Sequence, residues 1–375
     1  MIYKNAYIFT PDRGFVYGSF GVEDGKFCDV LSAVDCPEAV DLKGTYVIPG
    51  LIDVHNHGNS GEDFSDGDYD GLVRMGMFLA KNGVTSFAPA TMTLPYSVIA
   101  QAFSNASRLN KNRPADCARL MGVQMEGPYF SEKKKGAQNA DYLKLPDLEG
   151  FKMLFEDSDG IVKIVDVAPE LEGAAEFTKG ASKLCTVSVA HTDSDYEHAA
   201  EVFASGATHL THLYNAMPSI HHRKPGVIGA ASECENVTAE LICDGLHVHP
   251  SAVRMAFKLF PGRICLISDA LRCTGMPDGD YPFGGQTMTL KNGEARMPDG
   301  ALAGSVTVLY DCMRKAVEFG IDKTAAILAA TLTPAKEIGC ADLLGSIENG
   351  KLADFVLCDE NLTRKAVYIN GTQIA

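Results

Sequence analysis

The 375-residue chain has no CxxC pair, no long apolar run and no excess of basic charge. Each absence closes off a class of function. Eleven cysteines are scattered from Cys28 to Cys358. An odd number without paired spacing fits reduced thiols rather than a disulfide framework, and it argues against a thiolate zinc knuckle. The longest apolar stretches, such as Ile264–Ile267 and Ala325–Ala330, fall far short of a membrane span. The opening residues, MIYKNAYIFT, lack the basic segment, apolar run and small-residue cleavage site of an export signal, so a cytoplasmic location is expected. A formal charge of −15 leaves no broad basic face for nucleic acid, and an anionic ligand would need a local basic cluster. There is no solenoid-type repeat and no low-complexity segment.

What is present is an ordinary globular composition, 46% hydrophobic, in a chain long enough for one large barrel and a small companion. The two ends read alike. Ala6–Thr10, Phe15–Phe20 and Lys26–Leu31 are short strand-like runs broken by Pro11, Asp12, Gly14, Asp24 and Gly25. Gly345–Ile347, Ala353–Cys358 and Lys365–Ile369 are broken by Asn349-Gly350 and Asn370-Gly371. These ends predict one small β-sandwich domain built from residues 1–48 and 346–375.

The middle, residues 49–345, alternates differently. Eight apolar runs rich in β-branched residues each end in polar or glycine-containing sequence: Tyr46–Val54, Ser86–Thr91, Leu120–Met125, Val162–Val167, Cys185–Ala190, His209–Leu213, Ala239–Cys243 and Ile264–Ser268. Helical segments fill most of the gaps. Asp195–Ser205, for example, places Ala199, Val202 and Phe203 on one face, with Ser194 as the expected N-cap and Gly206 as the stop. Continuous apolar strands alternating with helices predict a parallel sheet covered on its outside, here an α/β fold of the (β/α)8 TIM-like barrel type.

Catalytic groups of such barrels come from the C-terminal ends of the strands. Those ends carry Asp53, His55, His57, Glu126, His191, His212, His247 and Asp269, which include five of the ten histidines. His55 and His57 lie two residues apart, so period-two geometry turns both imidazoles to one side, where they can reach one ion. They could equally be two polar residues at a strand end. The turn-prone run Gly58-Asn59-Ser60-Gly61 that follows reads as a loop opening a pocket. Glu126 leaves an apolar strand and enters Gly127-Pro128. A carboxylate there is costly unless a metal or hydrogen bonds receive it, although a helix cap or a buried ion pair would also serve. Glu126, His191 and His212 together make a three-ligand site with room for water. His209, three residues before His212, is expected to face the other side of its strand. Asp269 is placed to take a proton from water acidified by a metal and to pass it on, or else simply to cap the following turn.

Several blocks carry a resemblance. They are Pro49-Gly-Leu-Ile-Asp-Val-His-Asn-His57, Asn82-Gly-Val-Thr-Ser86, Glu126-Gly-Pro128, Lys135-Gly-Ala137, His191-Thr-Asp193, His212-Leu-Tyr-Asn-Ala-Met-Pro218, Arg223-Lys-Pro-Gly226, Asp244-Gly-Leu-His247, Ser268-Asp-Ala270 and Leu302-Ala-Gly-Ser305. Together they span most of the chain. In them the sequence resembles the N-acetylglucosamine-6-phosphate deacetylase family of the amidohydrolase superfamily.

The resemblance implies hydrolysis of the N-acetyl group of a phosphorylated amino sugar with one or two divalent ions, zinc first, iron or another divalent ion otherwise. It implies that Glu126, His191 and His212 form the principal metal site. His55 and His57 would form the second site of the dinuclear branch, with Glu126 able to bridge. Asp269 looks like the proton shuttle, and His247 like a substrate contact near the reacting group and phosphate side. Asn215 and Ala216 resemble phosphate contacts. Arg223 resembles an arginine that reaches into a neighbouring subunit's site, which implies a homodimer. Ala137, Gln138 and Leu302 fall in segments implied to line the substrate pocket. Gln138 departs from the pattern, since many members carry histidine there, and a glutamine cannot be protonated.

The run His221-His-Arg-Lys224 supplies the most basic histidine-containing stretch. Only Arg223, with its bidentate donors, is singled out for phosphate; His221, His222 and Lys224 read as a solvated loop, as does Lys133-Lys-Lys135. The alternatives are the galacto epimer of the same substrate, another amidohydrolase reaction such as cyclic-amide hydrolysis or purine deamination, and a non-catalytic barrel. Cyclic-amide hydrolases often use a carboxylated lysine from the fourth strand, where Lys163 lies too early. A scaffold would have lost ligands that this chain keeps.

Overall fold

In the computed structural model, residues 1–32 and 36–375 are described. The chain opens with β1 (Ile2–Thr10), β2 (Gly14–Glu23), β3 (Lys26–Cys28) and β4 (Val40–Pro49). Then come β5 (Leu51–Asn56), β6 (Val84–Pro89), β7 (Arg119–Leu120), β8 (Val123–Met125) and β9 (Val162–Val167). They are followed by β10 (Thr186–Val189), β11 (His209–Leu210), β12 (Thr238–Ile242) and β13 (Ile264–Ile267). A meander of β14 (Gly279–Phe283), β15 (Gln286–Lys291) and β16 (Glu294–Arg296) precedes the last strands, β17 (Phe355–Cys358), β18 (Arg364–Ile369) and β19 (Thr372–Gln373).

β8 to β13 form a six-stranded parallel sheet in chain order, and β5, β6 and β7 form a second parallel sheet. Isolated parallel bridges join the two at both seams, Ala90 to Gln124 and Asn56 to Ala270. The strands are buried almost throughout, as their continuous apolar character demands when helices cover the outside. Inside the ring the side chains lie in layers. Ile52, Ala88, Ile164, Ile242 and Ile267 from five strands meet Ala335 and Ile338 at the base. Above them is a polar layer: Gln124 Nε2 donates to both Asp166 oxygens at 3.2 Å and to Thr211 Oγ1 at 3.3 Å. Burial, joined by the charges of Glu126 and Glu240, pushes the Asp166 carboxyl up to about 8.

The helix expected over Asp195–Ser205 runs Tyr196–Ala204 and buries Ala199, Val202 and Phe203. Its N-cap is Asp195 rather than Ser194, because the Asp195 carboxylate accepts from His198 N while Ser194 Oγ donates to the Asp195 carbonyl. The run Tyr46–Val54 is in fact two strands in two sheets. β4 ends at Pro49 and β5 begins at Leu51, with Gly50 between them where a Cβ would run into the Thr85 side chain.

Both chain ends share one seven-stranded sheet in the order β19-β18-β17-β4-β1-β2-β3. In a flat sheet, β2 and β17 would stand about 14 Å apart at about 4.8 Å per step. Yet the rings of Phe20 and Phe355 meet at 5.3 Å and those of Phe27 and Phe355 at 5.9 Å. The sheet therefore curls over its own aromatic core, and the two packed layers of the terminal domain are its two halves. Gly345–Ile347, read as a strand from its sequence, is a bend in which Ile347 packs into that core.

Candidate metal centre

The strand tips bring the candidate ligands together. Glu126 follows β8, with one carboxylate oxygen 3.2 Å from His191 Nε2 and 3.3 Å from His212 Nε2, and the two ring nitrogens are 3.1 Å apart. Its other oxygen lies 3.2 Å from His57 Nε2, and His55 Nε2 stands 3.5 Å from the first. Two groups result, Glu126–His191–His212 and His55–His57–Glu126, each with its donor atoms close enough to hold a metal ion. Asp269 faces the second group, with Oδ1 3.4 Å from His57 Nε2 and 3.6 Å from His55 Nε2.

Backbone partners fix the ring orientations. His191 Nδ1 donates to Lys134 O at 2.9 Å and His212 Nδ1 to Asn215 O at 3.2 Å. A carbonyl can only accept, so each ring carries its proton on Nδ1 and turns the Nε2 lone pair inward. Phe130 stacks on His191 at 4.4 Å. The backbone turns sharply at three of these tips: His191, His212 and Asp269 have φ of 43°, 29° and 48°. Such left-handed conformations cost about 1–3 kcal/mol each and persist where surrounding contacts impose them.

The charges are strongly coupled. Burial works to raise the Glu126 carboxyl, but His57 and His55 outweigh it and hold the group well below the ordinary range. Burial works to lower His55, yet Glu240 and Glu126 push it up to about 9, and His57 is raised well above its usual value against the same opposition. Asp269 is held low by His57 and His55 in spite of burial. Oxygen and imidazole donors of this kind suit zinc, iron and similar divalent ions.

The pocket above the ligands is lined by His57, Glu126, His191, His212 and Asp269, and His55 sits beneath it. The same pocket takes in His247, Asn215, Ala216, Ala137, Gln138 and Leu302. His247 is held by Asp244, whose Oδ2 lies 2.7 Å from Nδ1 and whose Oδ1 accepts from the Leu246 and His247 amides. Gln138 donates Nε2 to Glu126 at 2.7 Å and accepts from Thr93 N at 2.8 Å. Arg223 is not brought into this pocket. It is exposed, next to His222, in a neighbouring cleft lined also by Asp193 and Asp195.

Two participants escaped the sequence reading. His209 does not face away from the site: it is fully buried and bonds to Glu240, which in turn bonds to His55 Nδ1 at 2.9 Å. Glu240 itself was passed over. The signal that could have found it is a lone carboxylate in the middle of an otherwise uncharged buried strand, Thr238–Ile242.

The comparisons with known proteins agree with this geometry. Residues 46–374 match the family described as Amidohydrolase family. The chain is 35% identical to an N-acetylglucosamine-6-phosphate deacetylase of Bacillus subtilis over 95% of its own length and 92% of the relative's. It is also 35% identical to an N-acetylgalactosamine-6-phosphate deacetylase of Escherichia coli O157:H7, over 91% and 92%. Among solved structures, a mutant N-acetyl-D-glucosamine-6-phosphate deacetylase of Mycobacterium smegmatis in complex with N-acetyl-D-glucosamine-6-phosphate superposes with a TM-score of 0.93 at 26% identity, covering 100% of this chain and 99% of that one. The chain belongs to the amidohydrolase family and, within it, to the N-acetylglucosamine-6-phosphate deacetylases.

Proposed function

We propose that this site hydrolyses the N-acetyl group of N-acetyl-D-glucosamine 6-phosphate, giving D-glucosamine 6-phosphate and acetate. The observation that carries the reading is the convergence of four imidazoles on the single carboxylate of Glu126 with Asp269 alongside, in a chain this similar to deacetylases. Glu126, His191 and His212 would hold one divalent ion, and His55 and His57 with Glu126 a second. Zinc is the favoured ion, with iron or another divalent metal suited to the same donors. A bound ion supplies Lewis-acid polarisation of the amide carbonyl and acidifies the attacking water.

The chain's own groups do the rest. Asp269, ionised and beside the ligands, accepts the proton of the attacking water at Oδ1 as the new C–O bond forms. It then hands that proton to the amide nitrogen, so that the C–N bond breaks and a neutral amine departs. His247, held in place by Asp244, contacts the substrate near the reacting group and phosphate side. Asn215 and Ala216 receive the phosphate, and Ala137, Gln138 and Leu302 bound the sugar. Arg223 completes the phosphate site of the neighbouring subunit in a homodimer, and the enzyme works in the cytoplasm. No helix among the described residues is long and apolar enough to cross a membrane.

A second reading, the N-acetylgalactosamine 6-phosphate epimer, draws on the Escherichia coli relative, whose identity equals that of the Bacillus subtilis one without exceeding it. Acetate release from both 6-phosphorylated sugars and from their unphosphorylated forms separates the two. A higher kcat/KM on the gluco 6-phosphate supports the first reading, the reverse order supports the second, and no release from any of the four sinks both.

A further inference from the structure

Behind His55 runs a row of three buried or nearly buried groups, Glu240, His209 and Glu337, that the reaction itself does not use. Glu337, at the end of the helix Leu332–Glu337, presents Oε2 to His209 Nδ1 at 3.0 Å. His209 Nε2 meets Glu240 Oε1 at 3.1 Å, and Glu240 Oε2 meets His55 Nδ1 at 2.9 Å. Thr238 Oγ1 donates to the remaining Glu337 oxygen at 2.6 Å and pins the outer end. The side chains of His209, Glu240 and His55 are 0% exposed, and that of Glu337 is 14% exposed.

The bonding pattern assigns the protons. Ionised carboxylate oxygens only accept, so His209, placed between two of them, donates from both ring nitrogens as an imidazolium. Glu240 is thereby held at Oε1, which stops its carboxylate rotating. Its Oε2 then accepts from His55 Nδ1 and also from His212 N at 3.1 Å. With one proton of His55 held at Nδ1, Nε2 is the nitrogen that yields its proton and turns a lone pair towards Glu126 and Asp269 when an ion enters. A carboxylate behind a ligating imidazole fixes both its tautomer and its orientation.

We infer that Glu240, clamped by His209 and Glu337, is the positioning residue that makes His55 competent to hold the second ion. The inference rests on the two-ion reading of the site. Its claim is specific: the clamp governs occupancy of the His55–His57 side far more than that of the Glu126–His191–His212 side.

Zinc titration of metal-free protein by calorimetry, with metal analysis after dialysis, tests it in wild type, His209→Gln and Glu240→Gln. Wild type should take two ions per chain. Both variants should keep the first ion within about threefold in affinity and bind the second about 10- to 100-fold more weakly, the usual effect of losing a partner behind a ligand. The double variant should be no worse than Glu240→Gln alone, because the two groups act in series. With sugar phosphate, kcat should fall while KM stays near wild type. Both ions binding normally in the variants overturns the inference while leaving the two-ion reading intact, and so does equal weakening of both ions. A wild type that takes up only one ion overturns the inference and the two-ion reading together. Melting curves of the metal-free proteins verify folding. If His209→Gln and Glu240→Gln do not fold, Glu337→Gln, at the outer end of the row, decides by the same criterion.

Discussion

The side-chain amide of Gln138 donates to the carboxylate of Glu126 at 2.7 Å, on the oxygen that faces His57. A residue placed by resemblance against the substrate thus also steadies the carboxylate common to both ligand groups. Replacing Gln138 with leucine should weaken ion binding about 10- to 100-fold, as removal of a ligand's supporting donor does elsewhere. Gln138→His restores a donor and should recover most of the affinity. Chelator competition measures both, and an unchanged affinity in Gln138→Leu would remove the amide from any supporting role.

Asp269→Asn keeps the size and polarity of the side chain but cannot accept a proton. The variant should retain its metal content while turnover falls by roughly 10²- to 10⁴-fold, the range general acid–base groups contribute. Metal analysis beside a steady-state assay separates the two effects. Near-normal turnover in a fully loaded variant would take the carboxylate out of the chemistry.

In metal-free protein, His55 is pushed up to about 9 and His57 lies well above its usual value. Protons on His55 therefore compete with an incoming ion at neutral pH, and the upward shift of His57 adds to that competition. The sign follows directly: acid favours the protonated rings, so zinc affinity should climb with pH from about 6.5 to about 9 and flatten only beyond. Isothermal titration in buffers of different ionisation heat would count the released protons. Uptake without proton release between pH 7 and 8 would contradict the arrangement.

Arg223 lies outside the pocket of its own chain and is exposed. If it serves a partner's phosphate site, Arg223→Ala and Asp269→Asn should each be impaired alone. A mixture with subunit exchange should recover up to roughly a quarter of wild-type activity, because half the dimers are hybrids with one intact site in two. No recovery despite exchange shown by mass-tagged subunits would place Arg223 elsewhere.

Most of the candidate ligands were legible in the sequence because they follow runs apolar enough to read as buried strands, whereas His212 lies inside the run His209–Leu213. A histidine or carboxylate at the close of a run such as Leu120–Met125 or Cys185–Ala190 has few places to go except the open end of a barrel. The boundaries were less legible. Tyr46–Val54 reads as one strand because its hydrophobicity does not falter, and only the packing of Gly50 against Thr85 divides it between two sheets. His209 and Glu240 were hidden for a different reason. Their meaning depends on a partner in each case far along the chain, Glu337 and His55, and no local period carries that information. Gln138 shows the same limit, since a loop rather than a repeat carries it to its partner Glu126.

The place of β4 between β1 and β17 has a consequence for biosynthesis. On the ribosome, β1 is available to β4 almost at once, whereas β17 emerges only after the whole barrel has been translated. Until then β4 presents a bare row of amides and carbonyls beside the nascent barrel, the kind of edge that recruits stray strands. Truncations that remove β17 to β19 should therefore yield insoluble protein even though they delete none of the candidate ligands, because they also take Val356, Cys358, Val367 and Ile369 out of the core shared with the barrel.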